Sequence, residues 1–228
     1  MKKTWFKKTV LSYLPSLYVT IAVIVFLAIF IINEVSLKEA ERTNRYSTES
    51  VMHTIEQQLK TIERRVIDEL RIGASLDQFF RYDGSEKYDM RMLNYEAMKR
   101  IRQMIVDEPA IQSIYLYRLY DNMILAESRF EDAQRFGDRE FLFRETAERA
   151  FADRTWSNVR FYDDNPNDSH AGHRVISISQ RALIPMGGEG LVVVNVSVDA
   201  LTSRIKEMID PRLSYLHIVD RSGFVVYS

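Results

Sequence analysis

The chain begins with an apolar segment that lies between two charged ones. No charged residue occurs from position 9 to position 33, and residues 19–32 are apolar except for one threonine. About 20 apolar residues are enough for a helix to cross the hydrocarbon core of a bilayer. Four lysines precede the segment, and the positive-inside rule places such a terminus in the cytoplasm. The pattern predicts a cytoplasmic tail at 1–8 and a transmembrane helix at 9–33, with the rest of the chain extracellular.

A cleaved signal peptide is the alternative interpretation of this segment. Signal peptides normally have a shorter apolar core, and they end at a cleavage site made of small residues. Here the apolar run continues into IINEVSLKEA, which has no such site. The pattern therefore favours a single-pass protein of the cell membrane whose anchor is retained.

Beyond the anchor, apolar residues recur at alternating steps of three and four positions. This spacing predicts one helix from about residue 34 to residue 70, with Gly73 as its stop, and a membrane-proximal segment over 34–72. The apolar stripe lies against its own domain's sheet, or it forms the seam of a parallel homodimer, and one helix can do both along its length. The stripe consists of Met52, Ile55, Leu59, Ile62, Val66 and Leu70.

After residue 73 the pattern changes to short strands that alternate with helices. Alternating apolar and polar positions predict strands, and turn residues such as Asp121 and Asn122 separate them. The very apolar run at 191–198 predicts a central strand, and Asp199 is placed to cap the helix after it. The predicted elements are helix 86–106, strands 114–119 and 123–126, helix 138–152, strands 159–162, 174–184 and 191–198, a helix from residue 200, and strands 215–220 and 224–227.

These elements predict an α+β fold, in which a PAS-like antiparallel sheet module with flanking helices follows the long helix. The module is expected over 73–212. The hairpins at 114–128 and 214–228 share the form strand, aspartate-containing turn, strand. A weak repeat of this kind indicates two related modules in tandem. Residues 213–228 are therefore expected to begin a second, truncated module of a longer protein.

Composition narrows the functional classes. Net charge is −1, which gives no electrostatic reason to expect a nucleic-acid partner. The absence of cysteine excludes thiol catalysis and cysteine-ligated metals.

No catalytic or cofactor-binding signature is present. The chain lacks a P-loop, a GxSxG element and an HExxH element. His170 and His173 share a loop with Asp168, but a solvated loop is the favoured interpretation over a metal site. The segment itself is thus predicted to be non-enzymatic, without metal or cofactor.

One cluster suits a small ligand. Arginine beside tryptophan offers a grip for a carboxylate or hydroxyls and an apolar wall, as Arg154 and Trp156 do, with Arg160 and Tyr162 close behind. The competing interpretation is that Trp156 belongs to the core and the arginines are solvated.

The order of these parts resembles the double Cache sensor domain, whose modules are PAS-like. The resemblance covers the whole chain and rests on the R-x-W element, the strands VISISQRALI and LVVVNVSVD, and the two D-containing hairpins. It implies the extracellular sensor of a bacterial membrane kinase, or of a membrane-bound helix-turn-helix regulator. Kinase activity would then belong to an output domain outside this sequence.

The resemblance also implies a ligand site and its chemistry. In the amino-acid-binding members of the family, an R-x-W-Y element grips the ligand carboxylate and an aspartate grips its amine. Arg154 and Trp156 match that element, but Ser157 replaces the tyrosine and Asn195 replaces the aspartate. Asn195 is expected to face Arg154 and Trp156 from the central strand. An amide suits hydroxyls better than a bare cation, so an uncharged or anionic polar ligand is expected. Arg160, Tyr117 and Tyr162 are the weaker candidates for the wall of the pocket.

The sequence therefore predicts an extracytoplasmic sensor that passes ligand binding inward through the long helix. Its expected partners are a small polar ligand or a solute-binding protein, the membrane, and a second copy of the chain through the membrane-proximal helix. The alternative is a membrane-anchored structural or adhesion protein without small-molecule sensing. An anchored hydrolase is a further alternative, but no paired acid and base support it.

Overall fold

The computed structural model describes residues 2–72, 76, 79, 80, 87–148, 154–162, 172–184, 188–208, 218, 219 and 225–227. Side chains are described within 13–66, 91–146, 156–162, 172–182 and 189–203, and at 76, 79 and 80. The predicted stop at Gly73, the loop around His170 and the turn at 221–223 lie outside the described residues. The chain divides into two compact units, Met1–Ser50 and Val51–Ser228.

The first unit is the N-terminal part of one helix, α1 (Lys2–Ile72). Its most apolar 18-residue window has a mean hydropathy of 2.6 and is not buried within the protein. A helix that is apolar on all sides needs protein or lipid around it. This segment is therefore long and apolar enough to be a candidate membrane span, as the sequence pattern predicts.

The second unit is built on a seven-stranded antiparallel sheet, in the order β3-β2-β1-β7-β6-β4, with β5 pairing beside β4 on β6. The apolar run that predicted a central strand is β7, which lies between β1 and β6. A separate pair, β8 (Ile218–Val219) and β9 (Val225–Tyr227), follows. The seven strands are β1 (Ile111–Arg118), β2 (Met123–Ala126), β3 (Phe130–Asp132), β4 (Arg154–Trp156), β5 (Arg160–Tyr162), β6 (His173–Ile184) and β7 (Gly188–Ser197).

The helices that flank the sheet are α2 (Lys87–Asp107), α3 (Arg139–Glu148) and α4 (Val198–Met208). The predicted fold class, a long apolar helix followed by an antiparallel sheet with flanking helices, is confirmed. Asp199 is not the cap of α4, because the Ser197 hydroxyl accepts the hydrogen bond from the Ala200 amide at 3.2 Å. Asp199 instead pairs with Arg174 at 2.5 Å.

The alternation along β7 divides the core into two layers. Val192, Val194 and Val196 belong to a cluster that includes residues of α1 and α2, and we call this side the α1/α2 face. Leu191 and Val193 belong to a second cluster with Phe141 and Leu142 of α3, and we call this side the α3 face. Side chains alternate between the two faces of a strand, so the even-numbered residues of β7 join one layer and the odd-numbered residues join the other.

The C-terminal part of α1 packs on its own sheet. Ile62 and Val66 are buried in the α1/α2 face, and Leu59 packs against them. Farther along the stripe towards the N-terminus, Met52 is 47% exposed. Among the residues whose side chains are described, the stripe from Leu59 to Val66 therefore forms intrachain core, and the exposed Met52 is available for the predicted dimer seam.

Two contacts attach the segment after α1 to the ends of the strands. Arg118, which is fully buried at the end of β1, donates to the Phe79 carbonyl at 2.7 Å and lies over the Phe79 ring. Its guanidinium also pairs with Asp121 at 2.7 Å. Gly190 of β7 leaves room for the Phe80 ring beside the backbone. Residues 79 and 80 thereby join α1 to the sheet.

We predict that Gly190→Ala destabilises the domain by about 1–3 kcal/mol, the usual cost of overpacking a filled core. The added Cβ would collide with the Phe80 ring and would lie 2.7 Å from the Tyr117 carbonyl oxygen. Glu189→Ala is the control, because Glu189 is adjacent and makes only a half-exposed ion pair with Arg181. Denaturant unfolding of both variants measures the difference, and equal stability would contradict the close packing of Phe80 on Gly190.

Candidate functional site

Three polar side chains interrupt the apolar α3 face at the centre of the sheet. Ser113 of β1 and Ser177 of β6 both stand in register with Asn195 of β7. Side chains of paired residues in antiparallel strands lie on the same face. The three residues therefore form a polar row across the three central strands.

The Asn195 amide joins this row into one hydrogen-bonded group. Its Nδ2 donates to the Ser113 hydroxyl at 2.9 Å, and its Oδ1 accepts from the Ser177 hydroxyl at 2.6 Å. The same oxygen accepts from Nη2 of Arg160 at 2.9 Å. Asn195 is fully buried, and such an amide requires partners for both of its ends.

Arg160 is the centre of the network. Its Nη1 and Nη2 each donate to one carboxylate oxygen of Asp138 at 2.6 Å, and its Nε donates to the Ser177 hydroxyl at 2.8 Å. The guanidinium carbon lies 3.6 Å from the centre of the Phe141 ring. A bidentate pair over an aromatic face is among the strongest ways to hold a guanidinium away from water.

Asp138 connects the sheet to α3. Its backbone carbonyl accepts from the Leu142 amide at 3.1 Å, so the residue stands at the start of the helix. Its carboxylate also accepts from the Tyr115 hydroxyl at 2.7 Å. Through one side chain, the first turn of α3 is thus attached to both β1 and β5.

The environment of Tyr115 keeps its hydroxyl protonated. Burial raises the pKa of Tyr115 well above its usual value, and the negative charge of Asp138 adds to the rise while Arg160 opposes it. A protonated phenol can only serve the carboxylate as a donor. Tyr115 therefore contributes a fixed hydrogen-bond donor to the site.

A cavity of about 490 Å³ opens beside the Arg160–Asp138 pair. Besides this pair, its lining includes Phe136 and Phe141 as apolar walls. The remaining charged groups of the lining are Arg135, Arg139, Arg144 and Glu140. A concave site with an aromatic wall and an excess of arginines suits a small anionic or polar molecule.

A smaller cavity of about 160 Å³ reaches the other end of the polar row. Ser113, which bonds to Asn195, is part of its lining, as are Phe136 and Tyr162. Phe136 is common to both cavities. The polar row is therefore approached from two sides.

The structure brings together some of the residues predicted for the site. Arg160 and Asn195 are in direct contact. Tyr162 is buried in the α3-face cluster, with its ring centre 5.9 Å from the Arg160 guanidinium. Tyr117 lies in the same cluster, but its hydroxyl donates to Asn122 at 2.9 Å and it lines neither cavity described above.

The expected facing of Trp156 and Asn195 is wrong. Trp156 pairs with Ile178, packs on the α1/α2-face cluster and donates from Nε1 to Glu63 of α1 at 3.4 Å. Asn195 pairs with Ser177, one position away, so the two side chains lie on opposite faces of the sheet. Arg154 pairs with Gln180 in the backbone ladder, and its side chain lies outside the described residues.

Sequence reasoning missed Asp138, Tyr115, Ser113 and Ser177. The serines carry no clear signal, because Ser177 falls on a polar position of the alternating run ISIS and Ser113 follows a glutamine. Asp138 carries none, since its partner Arg160 is 22 positions away in the chain. Within the part of the chain that the structure describes, no cluster of three or more metal-binding side chains occurs.

Solved structures share this architecture. A domain from a Vibrio parahaemolyticus protein named as a sensory box/GGDEF family member matches with a TM-score of 0.54 and 13% identity, over 83% of this chain and 72% of the other. The extracellular domain of vpHK1S-Z8, named as a histidine kinase, matches with a TM-score of 0.52 and 12% identity, over 80% and 67%. The chain has the fold of extracellular Cache-type sensor domains.

A third neighbour with this Cache-type fold was solved with a bound ligand. The ligand-binding domain of the Campylobacter jejuni chemoreceptor Tlp3, in complex with L-norvaline, matches with a TM-score of 0.52 and 11% identity, over 82% of this chain and 69% of the other. No protein-family model and no curated protein sequence matches the chain. At these identities the similarity establishes the fold.

We predict that Tyr115→Phe lowers the free energy of unfolding by about 1.5–3 kcal/mol at neutral pH, because a buried hydrogen bond to a charged group is lost. The folded pKa of Tyr115 lies above its unfolded value of about 10, so the wild type keeps this stability below pH 10. The wild type loses this stability as the pH rises from about 10 through the pKa of Tyr115 in the folded state. The difference between wild type and variant should therefore narrow above pH 10.

Denaturant unfolding at several pH values between 8 and 11 measures this difference. Tyr95→Phe is the control, since Tyr95 is 62% exposed on α2. A difference that stays constant through pH 11 would contradict the buried Tyr115–Asp138 bond.

Proposed function

We propose that this chain is the ligand-sensing part of a transmembrane signalling protein, with its site between α3 and the sheet. The observation that carries the proposal is the buried Arg160 network, which opens to a cavity within a fold used by sensory domains. Even when its groups are fully paired, a buried charged and polar network is no more stabilising than apolar packing of the same volume, so its place in the centre of an apolar sheet needs another reason. Ligand recognition supplies that reason.

The proposed ligand is a small polar molecule, anionic or uncharged. Arg160 and Asn195 are the main recognition groups, and Tyr162 is a wall residue. Arg154 stays a candidate from the resemblance alone, because its partner Gln180 lies two positions from Ile178 in β6 and is not in register with Asn195. Tyr117 stays a weaker candidate, on the same face as Asn195. A solute-binding protein that carries such a molecule is an alternative partner.

The proposed route of the signal is α1. This helix includes the candidate membrane span, and its residues Ile62 and Val66 pack on the sheet face opposite the ligand site. A shift of the sheet can thus move α1 as a rigid body. We propose a cytoplasmic N-terminus and an extracellular sheet domain, with no enzymatic activity in this segment.

A membrane-anchored structural or adhesion protein is the alternative function. It would use the same helix and would need no ligand. Saturable binding of a small molecule distinguishes the two, because only the sensor requires it.

We predict that calorimetry of the full chain in detergent micelles, with panels of organic acids, sugars and amino acids, finds a saturable ligand. Arg160→Lys should weaken its binding about tenfold or more, since lysine keeps the charge but loses the bidentate fork. Arg102→Lys on the exposed side of α2 is the matched control. A ligand whose affinity is unchanged by Arg160→Lys would place the site elsewhere, and no ligand in any panel would favour the structural alternative.

The absence of cysteine allows orientation and pairing to be tested together. We predict that Met52→Cys reacts with a membrane-impermeant maleimide on intact cells and crosslinks into a dimer, because Met52 is exposed. Ile62→Cys is the control and should do neither before denaturation, because Ile62 is 1% exposed. Labelling only after permeabilisation would overturn the orientation. Failure of Met52 and its exposed neighbours to crosslink would overturn the dimer.

A further inference from the structure

The carboxylate that is bound to the Arg160 guanidinium belongs to the chain itself and is that of Asp138. Both Arg160 and Asp138 line the 490 Å³ cavity, and the pair has the two-oxygen geometry in which arginine binds any carboxylate. The side chain of Arg160 is 13% exposed and that of Asp138 is 7% exposed. The pair therefore lies at the cavity wall rather than deep in the core.

We propose that the ligand is a small organic acid whose carboxylate replaces that of Asp138 on Arg160, so that Asp138 acts as an internal competitor. The proposal rests on the proposed function. It adds the chemical class of the ligand and the structural change that ligand binding causes. It is carried by three features of the site: the positioning of Arg160, the charge of the cavity, and the location of Asp138.

Arg160 is held in place independently of Asp138. Ser177 accepts from Nε, Asn195 accepts from Nη2, and the Phe141 ring covers one side of the guanidinium. These contacts leave the two Nη groups directed at the position of the Asp138 oxygens. A carboxylate arriving from the cavity thus meets a preorganised fork, and the guanidinium is never left unpaired.

The cavity attracts an anion to this place. Arg135, Arg139 and Arg144 line it, and Glu140 is the acid of the lining apart from Asp138. With the Arg160–Asp138 pair neutral, the described lining has an excess of positive charge. Clefts lined by one sign of charge raise the local concentration of the opposite ion.

Asp138 can leave without becoming a buried unpaired charge. It stands at the first turn of α3, where a carboxylate is favoured by the helix dipole, and at the cavity wall. The Tyr115 hydroxyl, which now donates to Asp138, can donate to the arriving carboxylate instead. One charged hydrogen-bonded pair is exchanged for another, and the start of α3 is released from the sheet.

The test uses the full chain in detergent micelles, with malonate, acetate and inorganic phosphate as probes. Asp138→Asn removes the competing charge while keeping a residue that suits a helix start. We expect its melting temperature to lie below that of the wild type without a probe and to rise with malonate. We expect its apparent affinity for malonate to be about tenfold or more tighter than that of the wild type. Asp138→Ser is the second variant if Asp138→Asn folds poorly.

Asp121→Asn is the matched control. Asp121 also pairs with a buried arginine, Arg118, but neither residue belongs to the cavity lining. The melting temperature of Asp121→Asn should fall, but its response to malonate should stay that of the wild type. The double variant Asp138→Asn, Arg160→Met should lose the response to malonate.

Each contrary result has a distinct meaning. If malonate binds wild type and Asp138→Asn equally and Arg160→Met abolishes binding, the competitor role of Asp138 is overturned while the ligand site remains. Tighter binding of phosphate than of malonate overturns the carboxylate class. If no probe stabilises either Asp138→Asn or Asp138→Ser, the inference fails, and only the wider ligand screen then decides the sensor function.

Discussion

The need to compensate one buried cation organises the α3 side of this domain. Arg160 carries a permanent charge, and a charge removed from water must be paired and hydrogen-bonded. The partners that meet this need come from β6, β7 and the start of α3. The same interaction therefore fixes the position of α3 on the sheet and places a carboxylate-binding group at the wall of a cavity.

The other side of the sheet has a different role. Its valines pack on α1 and α2, and Arg118 and Gly190 hold the segment after α1 at the strand ends. Core clusters cover both faces of the seven-stranded sheet, so a change at the α3 face can reach the packed part of α1 through one layer of strands. The separation of a side with a polar row and cavities from an apolar side is the basis of the signalling route that we propose.

The sequence predicts the elements better than the site. Periodicity identifies the long helix, the central strand and the first hairpin, because each depends on local patterning. The expectation that Asn195 faces Trp156 failed because strand register decides the face of a side chain, and a shift of one position reverses that face. Asp138 could not be found, because only tertiary structure brings a loop carboxylate to an arginine on another element. The R-x-W resemblance favours Arg154 over Arg160, whereas the described network is centred on Arg160.

The most direct test of this account is a crystal structure of the wild-type chain with malonate bound at saturation. The account predicts one malonate carboxylate on Nη1 and Nη2 of Arg160, with the oxygens of Asp138 beyond hydrogen-bond distance and the first turn of α3 displaced from the sheet. Malonate bound elsewhere, with the Arg160–Asp138 pair intact, would contradict it.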